Sequence, residues 1–324
     1  MKYNLYNHLE IKLLNNYLIV YYIMDSKFMT NLMQTLSSEK LAQKTIEMYI
    51  IKLRILNENK PFDNLAFLKQ KATIKSKLEA IANDNTRKSY VASIVAILSR
   101  QKGKVWEDLN KYYRVLFMKE RSIFAEKPAH EKSDTQKENW MSWDDVKGVF
   151  NNLKTKAEEA AKKPRMSNAD KKAMEQYMIL ALYVMQPPRR NDWYYMVLGK
   201  GDDEKKNYVD MTGDKYYFNN FKTSKTGKEV IDIPSDIKPV LTWYIKQMNL
   251  SDGDYLLFPD DETRTNSNRI TKSLNSIFGK KVGASMLRHI YLSNKYGKVL
   301  NEQEADANFM SHGTRMQNEY VMKD

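Results

Sequence analysis

Apolar residues in the first third of the chain recur at three- and four-residue steps, the spacing of a helix with one buried face. Leu41, Ile46, Tyr49, Ile50, Leu53 and Leu56 form one such series after Ser37, and Pro61 closes it. Further helices are predicted around 65–68 and over 74–81. A fourth runs from a cap at Asn85 or Thr86 through Tyr90, Ile94 and Ile97 or Leu98, and another crosses Trp106, Leu109, Tyr113 and Leu116. Residues 25–120 are therefore expected to form an all-helical domain. Residues 1–24 stand ahead of it as an extension to which no role is assigned. Residues 121–138 lack apolar periodicity and are rich in Lys, Glu, Ser and Asp, with Pro128 among them, so a linker is expected there.

The second domain, 139–324, opens with Ser142 three residues ahead of Asp145, the signature of a helix N-terminus, and Val146, Val149, Phe150 and Leu153 supply the buried side. Residues 154–170 are charged, with a loop at their end. An apolar helix from Met174 to Met185 stops at Pro187-Pro188, and a new helix is predicted from near Arg189. Three short strands follow, at 208–211, 216–221 and 230–233, with glycine-containing turns between them. Helices at 237–248 and 270–278 come next. The expected fold class is mainly α with a small three-stranded antiparallel sheet.

The net charge of +13 and pI near 9.4 favour a polyanionic partner. Lys69, Lys71, Lys75, Lys77, Arg87, Lys88 and Arg100 lie on the predicted helices of the first domain and are the candidate DNA-binding residues. No apolar run is long enough to span a membrane, and no secretory cleavage pattern follows residues 11–24. The expectation is an intracellular protein, located where DNA is accessible, with no membrane association. The chain contains no cysteine, which excludes disulfides, thiolate catalysis and thiolate metal sites. The acidic runs 202–204 and 260–262 lack a converging third ligand and are assigned to solvent; no metal is expected.

Candidate chemistry is concentrated at the C-terminal end. Arg288, His312 and Tyr320 supply a cation for phosphate oxygens, a hydrogen-bond donor and a nucleophile. Eight residues of unbroken helix would separate His312 from Tyr320 by about 12 Å. Gly313 predicts a break, with Tyr320 on a short second helix. Upstream, Arg189 and Arg190 follow the proline pair, and Asp192 lies three residues after Arg189, on the side from which it can orient that guanidinium.

Leu287-Arg288-His289, then Ser311-His312-Gly313, then Tyr320 resemble the C-terminal boxes of the tyrosine recombinases, the integrase family of phage, viral and mobile-element enzymes. Segment 186–192, with Arg189 and Asp192, resembles the family's first box. The lysine in Ser224-Lys225-Thr226-Gly227 resembles the general acid of its hairpin turn, with Lys222 and Lys228 as neighbours. This chain has Ser285 where the second box usually opens with histidine, lacks the Thr-Gly that opens the first box, and places Tyr320 eight rather than nine residues after His312.

The resemblance implies a helical core-binding domain followed by a catalytic domain, acting on double-stranded DNA through a covalent 3′-phosphotyrosine. Arg189, Lys225, Arg288, His312 and the nucleophile Tyr320 would be catalytic. Arg190, Asp192, Ser285 and His289 are supporting positions, with His289 expected to pack in its helix. No cofactor is implied. A homo-tetramer on DNA, monomeric when free, is the implied assembly. Two alternatives stand: relaxation of DNA in the manner of a type IB topoisomerase, or a DNA-binding descendant that no longer cuts.

Overall fold

The computed structural model describes residues 27–39, 41–125, 131–201, 203, 206–221, 227–260, 268–320 and 322. The chain divides into two compact units, residues 1–131 and 132–324. Among the described residues the protein is mainly helical, with one small sheet.

In the first unit, helices α1 (Lys27–Ser38), α2 (Gln43–Leu56), α3 (Lys71–Glu79), α4 (Asp84–Leu98) and α5 (Lys104–Ala125) surround a core that includes Leu36, Ile46, Ile50, Leu53, Leu65, Leu68, Ile94 and Ile97. Tyr113 is fully buried, and its hydroxyl donates to the Leu68 carbonyl at 2.8 Å. Helix α1, ahead of the series that begins at Leu41, adds Met29 and Leu32 to this core. The cap of α4 is Asn83 rather than Asn85 or Thr86. Its side chain accepts from the Thr86 backbone N–H at 2.9 Å, which makes Thr86 the third helical residue.

The expected linker is shorter than the composition suggests. Helix α5 continues to Ala125, and α6 (Asp134–Asn139) opens on a reciprocal cap between Ser133 and Gln136. In the second unit α7 (Trp143–Ala161) opens on the expected Ser142–Asp145 pair. Helix α8 (Asn168–Val184) begins six residues earlier than its apolar run, on an equivalent Ser167–Asp170 cap. Residues Tyr177 to Tyr183 of α8 are buried on every side, so this helix forms the centre of the unit.

After Pro188 the chain stays extended and then makes a 3₁₀ turn (Asn191–Tyr195) where a new α-helix was expected. The sheet has four strands in the order β1 (Met196–Leu198), β2 (Asn207–Asp210), β3 (Lys215–Phe218), β4 (Glu229–Asp232). It is mixed, because β1 pairs with β2 in parallel, while β2–β3 and β3–β4 are antiparallel. The three-stranded antiparallel expectation missed β1, whose three residues are all buried and show no alternation. In the β2–β3 turn the Asp210 carboxylate accepts from the Thr212 and Gly213 backbone N–H groups. A Cβ on Gly213 would lie 2.6 Å from that carboxylate, so a larger residue there would displace the Asp210 side chain from this position.

Helices α9 (Lys238–Gln247) and α10 (Asn268–Phe278) pack on α8. Helix α11 (Ala284–Phe309) is a single unbroken run of 26 residues, followed by α12 (Thr314–Tyr320). The break between them spans residues 310–313 and so includes Gly313, but the residue that takes the left-handed conformation is Ser311 (φ 56°). Among the described residues no helix is long and apolar enough to cross a membrane.

Candidate active site

Two groups of the expected residues assemble, and they assemble separately. The first lies where the extended segment after α8 meets the start of α11. Pro188, Arg189, Arg190, Asp192, Phe221, Glu229 and Arg288 line one open cleft of about 250 Å³. Arg189 and Arg288, remote in sequence, thus face the same small volume.

Arg189 lies flat on Phe218, 3.7 Å from the ring centroid, where its guanidinium gains a cation–π contact and a fixed plane. Its Nη2 donates to Glu229 Oε2 at 2.9 Å, and its Nε lies 3.8 Å from Asp192 Oδ2. The expected orienting acid is therefore present at ion-pair distance, but the closer partner is Glu229. The β3–β4 register sets Glu229 directly opposite Phe218, which explains its proximity to Arg189. The segment is anchored on both sides: the Tyr183 hydroxyl donates to the Arg190 carbonyl at 3.1 Å, and Asn191 Nδ2 donates to Thr271 Oγ1 at 3.1 Å.

Burial holds the Asp192 carboxyl above its ordinary value; Arg189, Arg190 and Arg288 pull it down, and Glu229 adds to the rise. The Tyr183 phenol is pushed far up by burial and by Asp192, against the opposing pull of Arg288. It is a packed strut and not a nucleophile. Three guanidinium groups against two carboxylates leave the cleft with a net positive charge, suited to one singly charged phosphodiester.

Ser285 and His289, one turn apart on α11, are both exposed beside Arg288. His289 is therefore not a packed helix residue: it falls on the solvent side of α11, while Met286, Leu287 and Ile290 take the core side.

The second group is at the far end of α11. The His312 backbone N–H donates to the Ala307 carbonyl at 3.0 Å, and Ala307 lies nineteen residues beyond Arg288 in the same unbroken helix. At 1.5 Å per residue this places the His312 backbone about 28 Å from that of Arg288. Helix α12 folds back so that the Tyr320 and His312 rings stand 5.9 Å apart, while Gln303 donates to Asn318 across the two helices. The break does bring histidine and tyrosine together. It does not bring them to the cleft, because α11 continues where a site closed within one chain needs a bend. Tyr320 is 68% exposed, and the arm also exposes Leu292, Tyr296, Val299, Leu300 and Phe309.

Lys225 and Lys222 fall outside the described residues; Lys228 is exposed, just ahead of β4. Among the described residues no group of three or more His, Asp or Glu side chains is placed to hold a metal ion.

The basic residues of the first unit separate into two kinds. Lys69 lies over Trp106 at 5.0 Å, Lys71 lies over Tyr112 at 4.9 Å, and both are exposed, as is Lys75 beside Glu79. Lys77 donates to Glu58 and to the Leu56 carbonyl, and Lys88 is half-buried with a partner. Arg87 and Arg100 are struts and not free phosphate contacts. Arg87 is 15% exposed and donates to Glu120, Asp84 and the Ile81 carbonyl; Arg100 is 18% exposed and donates to Glu39 and the Ala96 carbonyl.

Compared with models of protein families, with curated proteins and with solved structures, the chain matches none of them.

Proposed function

We propose that this chain is a tyrosine-type DNA strand transferase, a site-specific recombinase or integrase that cuts and rejoins DNA through a covalent 3′-phosphotyrosine. The observation that carries the reading is the shared cleft of Arg189 and Arg288, which Asp192 also lines, half-buried. In this reading the two guanidinium groups hold the non-bridging oxygens of one phosphodiester and stabilise the charge that develops on them. The Tyr320 oxygen bonds to phosphorus as the bond to the 5′ oxygen breaks. His312 hydrogen-bonds the phosphate and Lys225 protonates the departing oxygen, while His289 or water takes the phenol proton. The phosphotyrosine conserves the energy of the broken bond, so rejoining needs no nucleotide cofactor.

Residues 25–120, within the first unit, are read as the core-binding domain, and Lys69, Lys71 and Lys75 as its phosphate contacts. Strand transfer requires either that the α11–α12 arm close on its own cleft or that a second copy in a DNA-bound homo-tetramer supply the tyrosine. A second reading, a DNA-binding descendant that no longer cuts, is favoured by the same separation and by Ser285, which cannot act as a base at neutral pH.

A nicked duplex that traps covalent intermediates separates the two readings. The strand transferase forms a protein–DNA adduct that survives denaturation and is lost in Tyr320→Phe. Absence of an adduct on duplexes carrying candidate sites leaves the binding protein. Mixing Arg288→Ala with Tyr320→Phe protein then reports the source of the nucleophile: adduct restored by mixing means a second copy supplies it.

A further inference from the structure

The geometry points to Glu229 as an internal occupant of the Arg189 phosphate position, a carboxylate that neutralises the guanidinium in free protein and leaves it when a DNA phosphodiester enters. The inference rests on reading the cleft as a phosphate site. It adds a competitor that the sequence motifs do not contain.

Of the two acids in the cleft, Glu229 is the solvent-facing one, with a side chain 43% exposed against 14% for Asp192. An anion arriving from solvent therefore meets Glu229 on Arg189 before it meets Asp192. A carboxylate and a phosphate present paired oxygens to the same guanidinium donors, and two like charges at one set of donors repel each other. One of them has to go. Glu229 is the group placed to yield, because it begins β4, an edge strand hydrogen-bonded to β3 alone, whereas Asp192 is packed within the 3₁₀ turn.

Arg189 does not need Glu229 to keep its place. Phe218 supports the face of the guanidinium whatever occupies the Nη2 donor. The Arg189 Nε–H is buried and makes no hydrogen bond while Glu229 holds the other end of the group. Release of Glu229 would let the guanidinium shorten its 3.8 Å approach to Asp192 and give that N–H an acceptor. The cleft then resists small free anions and admits a phosphate that the rest of a bound duplex holds in place.

The test is binding of a short labelled duplex to the full chain, by fluorescence anisotropy at one fixed salt concentration, with Glu229→Gln compared to Asp232→Asn. Both substitutions remove one negative charge from β4, but Asp232 pairs with Lys215 and does not line the cleft. Glu229→Gln is expected to tighten binding about three- to tenfold and Asp232→Asn by less than about twofold. In an Arg189→Gln background the gain from Glu229→Gln should disappear. Equal gains from the two substitutions, a gain that survives without Arg189, or weaker binding by Glu229→Gln would each overturn the inference. Adduct formation on a nicked duplex is scored separately. Tighter binding by Glu229→Gln with no adduct in the unsubstituted chain removes the strand-transfer reading and leaves the competitor. An adduct with no tightening does the reverse.

Discussion

Arg87→Met tests whether the basic character of the first unit is wholly a DNA-facing property. The guanidinium donates from Nε to Glu120 at 2.8 Å, from Nη2 to Asp84 at 2.7 Å and from Nη1 to the Ile81 carbonyl at 2.8 Å. It thereby ties the start of α4 to the far end of α5. Methionine keeps most of the packing volume but leaves Glu120, whose side chain is 13% exposed, without its cation. Breaking a fully buried ion pair costs about 3–5 kcal/mol; with water at the rim of this pair we expect about 2 kcal/mol. For a unit of this size that lowers the melting temperature by roughly 10 °C. Thermal unfolding followed by circular dichroism reads the shift, and duplex binding titrated against salt reads the alternative role. A strut leaves the salt slope unchanged, whereas a phosphate contact lowers it by about one when removed. An unchanged melting temperature together with a reduced slope would show that Arg87 serves DNA and not the fold.

The absence of cysteine makes His289→Cys with His312→Cys a clean labelling pair, and spin labels on it should report a backbone separation of about 27 Å in DNA-free protein. A separation below about 15 Å would mean that α11 bends and the arm already meets the cleft. Arg288→Ala should slow adduct formation by about 10²- to 10³-fold with little change in duplex affinity; equal rates in single-turnover trapping would remove Arg288 from the chemistry. The Asp170 carboxyl is held at about 2, first by its hydrogen bond from Lys163 and then by Ser167. Its folded value is depressed, so its stabilising contribution is present above about pH 4 and is lost as pH falls towards 2. The stability difference between the unsubstituted chain and Asp170→Asn should close over that window, and a gap constant down to pH 2 would contradict the assignment.

Some of the site was visible in the residues alone because its logic is local. Arg189 and Asp192 are three residues apart and their side chains do approach, although an extended segment and a 3₁₀ turn bring them there in place of the expected helix. The short helix carrying Tyr320 and the contact of its ring with His312 likewise follow from a chain break between them, although Ser311 and not Gly313 is the left-handed residue in it. Glu229 had no such signature. It is one acid among many, forty residues from Arg189, and reaches it only through the pairing of β4 with β3. Arg87 and Arg100 were indistinguishable from surface cations until Glu120 and Glu39 were brought against them by helix packing. Segment 154–170 held a legible Ser167–Asp170 cap that its charged composition obscured.

By itself the sequence determined the helical character, the cap of α7, the stop of α8 at the proline pair and a strongly basic chain without cysteine. These depend on periodicity, on residues three or four positions apart, or on composition. Tertiary structure alone decided that Arg189 and Arg288 share a cleft, that Glu229 occupies it with them, and that the His312–Tyr320 pair stands about 28 Å away along α11. Strand register and the length of an uninterrupted helix set those distances, and neither is encoded in any short stretch of residues.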